Sequence, residues 1–306
     1  MQAKLYFIHT LTPLHTGTGQ GVGVIDLQIA REKATGIPYL PGSSVKGVLR
    51  DASLTMDKTQ TLAIFGPDTE NASDYAGALQ VTDARLLALP VRSLLGVFAW
   101  VTSPLLLRRF QRDGHYAAGR VTLPTTVPTP AAVTECRVHS EVCVLTEKPA
   151  KQGDPKMIYL EDLDLQAQPD AGAKAWAEAI AASVLGKDTE WGRLFQERFC
   201  IVHDDVLGFL LETATEVVAR IKLQDDVKTV QRGGLWYEEA LPAESILVGI
   251  FAAQEVKKSG ATPAAAFTHL KSLLEQPLQF GGAATVGRGI CRLYVGEQAV
   301  NEKVEK

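Results

Sequence analysis

His15 and Asp26 flank a run in which Gly17, Gly19, Gly21 and Gly23 alternate with small or polar residues. An imidazole and a carboxylate brought together could do general acid–base work or hold a metal ion. The glycines would leave bare backbone beside a ligand. A hairpin turn with an Asp cap reads the same stretch more plainly. Late in the chain "LWYEEALP" offers the phenol of Tyr237 and the carboxylates of Glu238 and Glu239. There Trp236 and Tyr237 could stack on bases or wedge between them, or simply pack against their own protein or a neighbouring subunit.

Two further stretches carry cations. In "PGSSVKGVLR" (41–50) Ser43 or Ser44 can cap a helix whose apolar stripe is Val45, Val48, Leu49 and Ala52. Lys46 and Arg50, four apart, share its margin. That makes either a phosphate grip at a helix N-terminus or a surface helix with solvated cations. In "GGAATVGRG" (281–289) Gly281, Gly282, Gly287 and Gly289 surround Arg288, so a polymer backbone can approach and the guanidinium can fork onto phosphate. A plain turn explains two of these glycines and not four.

The remaining composition excludes more than it selects. A G-x-G-x-G-x-G run that opens a strand is no dinucleotide fingerprint, and no Walker lysine follows it. Cys136, Cys143, Cys200 and Cys291 form no C-x-x-C pair, and no zinc-binding histidine spacing is present. Scattered single cysteines suit a reducing cytoplasm, and no apolar run reaches bilayer-spanning length. With 306 residues, 46% hydrophobic, the chain can bury a large core in one domain or two. The net charge of −4 gives no hint of nucleic acid, but residues 1–50 and 81–120 are rich in Lys and Arg (Arg85, Arg92, Arg108, Arg109, Arg112 and Arg120 in the second), either as a basic face or as scattered surface.

The elements that must position these residues alternate irregularly. Strands are expected over 4–12, 24–31, 77–90 (turning at Pro90), 96–103, 215–224, 246–254 and the end of 280–296. Helices are expected over 103–114 with Ser103 as cap, 174–186, 204–214 with "HDD" as cap, and 262–276 with Thr262 as cap. Residues 225–245 read as a polar hairpin with Gly233–Gly234 near its tip. The mixture favours α+β over a doubly wound sheet.

In order, "HTGTGQGVG", Asp26, "LPGSSVKGVLR", "FGP" (65–67), "VTDARLLALPVRS", "LWYEEALP" and "GGAATVGRG" resemble the RAMP superfamily of CRISPR proteins. More specifically they resemble the backbone subunit of type III-B (Cmr) effector complexes, over the whole chain. The resemblance implies a single domain, 1–306, with a ferredoxin-like, RRM-like palm (1–102 and 244–296). It further implies a mostly helical insertion with some palm strands (103–224) and a β-hairpin thumb (225–243). Copies would stack along a CRISPR guide RNA with other Cmr-type subunits, gripping it through Ser43, Ser44, Lys46, Arg50, the late glycines and Arg288. The thumb, carrying Trp236, would displace nucleotides at regular intervals. Asp26 would then cleave single-stranded target RNA with Mg²⁺ or another divalent cation, assisted by His15 and by Tyr237, Glu238 or Glu239. A purely structural backbone, a guide-processing endonuclease and a small-molecule nucleotide enzyme are the competing readings.

Overall fold

Along the first strand, Tyr6 and Ile8 enter one hydrophobic cluster while Leu5 and Phe7 enter another. Strand side chains alternate between faces, so a sheet that starts this way must be covered on both sides. The computed structural model describes residues 1–296 except 21–23, 69, 71–72, 118–122, 141–142, 148, 150, 152, 186–187, 225 and 227–228. Gly21, Gly23 and Arg120 therefore lie outside the described residues.

In chain order the elements are β1 (Gln2–Thr10), β2 (Gly17–Gln20), β3 (Leu27–Ile29), β4 (Tyr39–Leu40), α1 (Gly42–Met56), α2 (Lys58–Phe65), β5 (Leu79–Val81), β6 (Ala84–Arg92), β7 (Phe98–Thr102) and α3 (Pro104–Tyr116). Next come β8 (Glu135–Val138), β9 (Met157–Leu160), β10 (Leu163–Pro169), α4 (Ala171–Val184), α5 (Thr189–Glu197), β11 (Phe199–Val202) and α6 (Asp204–Thr213). The chain ends with β12 (Glu216–Leu223), β13 (Val230–Ala240), β14 (Ile246–Ala253), α7 (Pro263–Leu273), β15 (Leu278–Gln279) and β16 (Ile290–Val295).

The larger sheet runs β15-β16-β1-β14-β6-β7-β11-β8-β10-β9, with β4 beside β6 and β5 beside β14. Helices α1, α2 and α7 give Val45, Leu49, Ile64, Phe267 and Leu270 to the Tyr6 face. Helices α3, α4 and α5 give Phe110, Trp176, Ile180 and Phe195 to the Leu5 face. The fold is α+β, as the irregular alternation predicts. No helix of the described residues is long and apolar enough to cross a membrane.

Residues 103–224 hold helices α3 to α6 together with β8 to β11, which extend the large sheet through parallel pairs β8–β10 and β7–β11 as well as antiparallel ones. Three expectations need correction. Pro90 makes no turn but lies inside β6 opposite Trp100. It sits beyond Ala88, the last β6 residue paired with β14, so its missing N–H breaks no ladder bond on that side. Neither Ser43 nor Ser44 caps α1: the preceding residue is Pro41, and the Gly42 N–H goes to Asp83 Oδ1 at 2.8 Å. Helix α3 is bounded by Ser103 without a side-chain cap bond and runs through Gly114 to Tyr116.

The long hairpin also differs from its expected bounds. Its arms are β12 and β13, so the strand at 215–224 is one arm, and the turn lies between Leu223 and Val230. Gly233, at φ +74°, and Gly234 fall inside β13, where the register jumps from Ile221–Leu235 to Leu223–Val230. The glycines make a bulge, not the tip. With β3 and β2 the hairpin forms a second, four-stranded sheet, ordered β12-β13-β3-β2.

Candidate functional site

Strand β13 carries the site. Glu238 pairs in parallel with Leu27 where β3 begins, so Asp26, one residue earlier, meets the next donor of β13. The Tyr237 N–H donates to Asp26 Oδ2 at 2.8 Å. The carboxylate thus replaces a ladder acceptor and is fixed through one oxygen. Oδ1 has no hydrogen-bond partner among the described residues, and Asp26 is exposed.

His15 hangs from the same strand two positions on. Its Nδ1 donates to the Glu239 carbonyl at 2.6 Å. A carbonyl only accepts, so Nδ1 carries the proton and Nε2 of the neutral ring is a lone pair. Residues two apart on a strand are about 7 Å apart, which sets the spacing of the two anchor points. Unlike Asp26, His15 is only 9% exposed. The late glycine loop closes over it, with the Gly282 N–H on the His15 carbonyl at 3.0 Å.

That closure requires glycine. A Cβ at Gly281 would lie 2.1 Å from the His15 carbonyl oxygen, at φ +73°. Gly287, at φ +77°, faces open space. Gly287→Ala is expected to cost about 1 kcal/mol of left-handed strain. Gly281→Ala adds a backbone collision and is expected to lower Tm clearly further; thermal melts of the pair check this.

Glu239 is 3% exposed and its carboxylate is fully engaged. Oε2 accepts the Ile29 N–H at 3.1 Å, while Oε1 takes Arg31 Nη2 at 2.5 Å and the Thr215 hydroxyl at 3.0 Å. Glu238, also buried, has Oε2 at 3.4 Å from Arg220 Nε and Oε1 at 3.9 Å from Arg288 Nε. Among the described residues Oε1 has no hydrogen-bond partner. Arg288 also reaches Glu216 at 3.4 Å. The late glycine loop is therefore fastened to the hairpin base by alternating charges. Tyr237 is 39% exposed. Trp236 is half-buried opposite Arg220, well away from the hairpin tip. Arg31 and Arg220, for which the sequence gives no signal, complete this network.

On α1, Ser43 and Ser44 are exposed in the first turn. Lys46 is half-buried, and burial, then the Arg50 charge, holds its amine below the ordinary lysine value. Arg50 is committed: it donates to the Gly66 and Pro67 carbonyls and to Asp68 Oδ1 at 2.7, 3.3 and 2.9 Å. Asp83 already takes the anion position at the Gly42 N–H. Much of the expected basic face is likewise paired, since Arg85 and Arg109 share Glu32, and Arg85 and Arg112 share Asp113. Burial pushes the Glu32 carboxyl up, but Thr35, Arg109 and Arg85 outweigh it and leave it below the ordinary value.

Among the described residues no group of three or more His, Cys, Asp or Glu side chains could hold a metal ion. Mg²⁺ is commonly bound by one or two carboxylates with water and substrate phosphates. The free oxygen of Asp26 fits that role as a single protein ligand.

The RAMP superfamily matches residues 7–292, and the chain belongs to it. It is 36% identical over 312 residues to the CRISPR system Cmr endoribonuclease Cmr4 of Pyrococcus furiosus, with 98% of each covered. It is 25% identical to the CRISPR system CMR subunit Cmr4 of Saccharolobus solfataricus, covering 95% of each. The crystal structure of oligomeric Cmr4 from Pyrococcus furiosus superposes with a TM-score of 0.71 at 28% identity, covering 97% of this chain and 98% of that one.

Proposed function

We propose that this chain is the backbone subunit of a type III-B RNA-guided complex. Copies stack along a CRISPR guide RNA, joined by other Cmr-type subunits in the cytoplasm, and cleave complementary target RNA at regular intervals. The observation that carries the reading is Asp26. It is an exposed carboxylate pinned by the Tyr237 N–H, in a chain aligned end to end with a Cmr endoribonuclease. In this reading the sheet around β1 is the palm and the β12–β13 hairpin is the thumb.

In the reaction the 2′-hydroxyl beside the scissile bond attacks phosphorus and the 5′-oxygen leaves, giving a cyclic phosphate and a 5′-hydroxyl. Asp26 orients the strand, and its free oxygen either takes the 2′-hydroxyl proton or holds a divalent cation, while water protonates the leaving 5′-oxygen. When bound, a divalent cation such as Mg²⁺ would supply charge neutralisation at the phosphoryl oxygens, held by Asp26. His15 keeps the glycine loop on β13, and Tyr237 is the assistant with an accessible functional group. Glu239 is excluded from proton transfer by its three bonds. Arg288 and Lys46 are the cations for the guide backbone. Much of the rate then comes from geometry rather than strong acids and bases.

The test is reconstitution with guide RNA, the other Cmr-type subunits and labelled target. Regularly spaced cuts with cyclic-phosphate ends are expected, lost with EDTA and restored by Mg²⁺. Target bound but uncut in Mg²⁺ would turn the reading to a structural backbone. Cutting of isolated repeat RNA without partners would turn it to guide processing.

A further inference from the structure

On the α4–α5 side of the large sheet, a cleft of about 280 Å³ opens at the β1–β16 ladder. Its floor holds His9 and, directly across on β16, Arg292; Tyr294 is two residues further on the same face. Its wall is Trp191 of α5, 40% exposed, its ring centroid 6.4 Å from that of His9. Asp188, which caps α5, is at the rim, and Glu244 closes one end.

Three observations distinguish this cleft from a packing gap. His9, 5% exposed, is joined through Nε2 to Glu244 Oε2 at 2.6 Å. Glu244 holds φ +71°, a left-handed conformation that non-glycine residues rarely adopt. Its N–H is fixed on the Thr10 carbonyl at 2.7 Å, and its carbonyl accepts the Trp100 indole N–H at 2.8 Å. Such strain is retained where surroundings impose it, and it clusters at ligand sites. Third, Arg292 is exposed and makes no ion pair among the described residues, so its fork is free.

We propose that this cleft binds a purine nucleotide, with guanine preferred. Trp191 and Tyr294 give a flat ring aromatic contact. A guanine edge presents a ring N–H and an adjacent amino group to the Glu244 carboxylate, whereas uracil presents a single ring N–H flanked by two carbonyl oxygens that repel it. Arg292 takes the phosphate. The nucleotide is either free or part of a single strand. The cleft adjoins the late glycine loop, since the Leu11 N–H bonds the Ile290 carbonyl at 2.8 Å. The site is separate from Asp26 and stands whether or not the chain cuts RNA.

The experiment is calorimetric titration of the full chain with 5′-GMP and 5′-UMP, and with short single-stranded RNAs that are all uridine or contain one guanine. GMP is expected to bind roughly tenfold or more tightly than UMP, the discrimination one good bidentate pair provides. Arg292→Ala and Glu244→Gln should each weaken it by a similar factor. A guanine effect confined to the oligomers, and lost in both cleft variants, assigns the cleft to a strand-borne nucleotide. No guanine-dependent binding by either probe, or binding indifferent to both substitutions in variants with wild-type Tm, overturns the proposal.

Discussion

Asp26→Ala, assembled with guide and partner subunits, is expected to lose target cleavage by about 10²–10⁴-fold, the range for removing a positioned proton-transfer group. Guide and target binding should stay near the wild-type level. The split follows from the geometry. The Asp26 side chain is exposed and makes a single hydrogen bond among the described residues, from the Tyr237 N–H, so its loss exposes that donor to water at little cost in stability. Asp26→Asn refines the test. The amide oxygen can still accept the Tyr237 N–H, so position survives while charge does not. Cleavage retained in Asn but lost in Ala would make Asp26 a loop anchor. Loss in both, with unchanged Tm, makes the charged oxygen the working part. Cleavage retained in both would place the chemistry elsewhere.

What could be read from the sequence follows the range of the interactions. Helices α4, α6 and α7 are legible because their stripes and caps are local: Thr262 accepts the Ala265 N–H, and His203 accepts that of Asp205. Strand β1 is legible from its density of β-formers. Helix α1 is legible, but its cap is not, since Asp83 comes from the far end of the β5–β6 connection. Strands β8 and β9 carry only four residues each and take their stability from neighbours across the sheet. For the site, Asp26, His15 and the late glycines stand out by type and spacing. Their assembly does not, because Asp26 and His15 are held by the backbone of β13, more than two hundred positions along the chain, and the glycine loop is held in turn by the His15 carbonyl. "WYEE" shows two adjacent glutamates, yet alternation sends one to Arg31 and the other to Arg220 and Arg288. Nothing in the sequence separates them.

Glu239 should therefore behave as a structural residue whose loss is felt at the site. Its carboxylate ties three segments together: Ile29 at the end of β3 with Arg31 just after it, Thr215 just before β12, and β13 itself. Glu239→Ala is expected to destabilise by about 3 kcal/mol, as breaking one side of a buried ion pair does. Among the described residues Arg31 would keep the Gly36 and Leu211 carbonyls, and the Ile29 N–H would lose its Glu239 acceptor. Thr215→Val removes one bond to the same oxygen and should cost about 1 kcal/mol. Urea unfolding checks both, with the midpoint falling and the slope unchanged. Because Asp26 and His15 hang from the main chain at Tyr237 and Glu239, cleavage by Glu239→Ala should weaken with stability and recover on cooling toward the temperature of maximum stability. A Glu239→Ala protein with wild-type stability and no cleavage would contradict this account. It would move the carboxylate into the chemistry, where Asp26→Ala already sets the expected signature of activity lost with the fold intact.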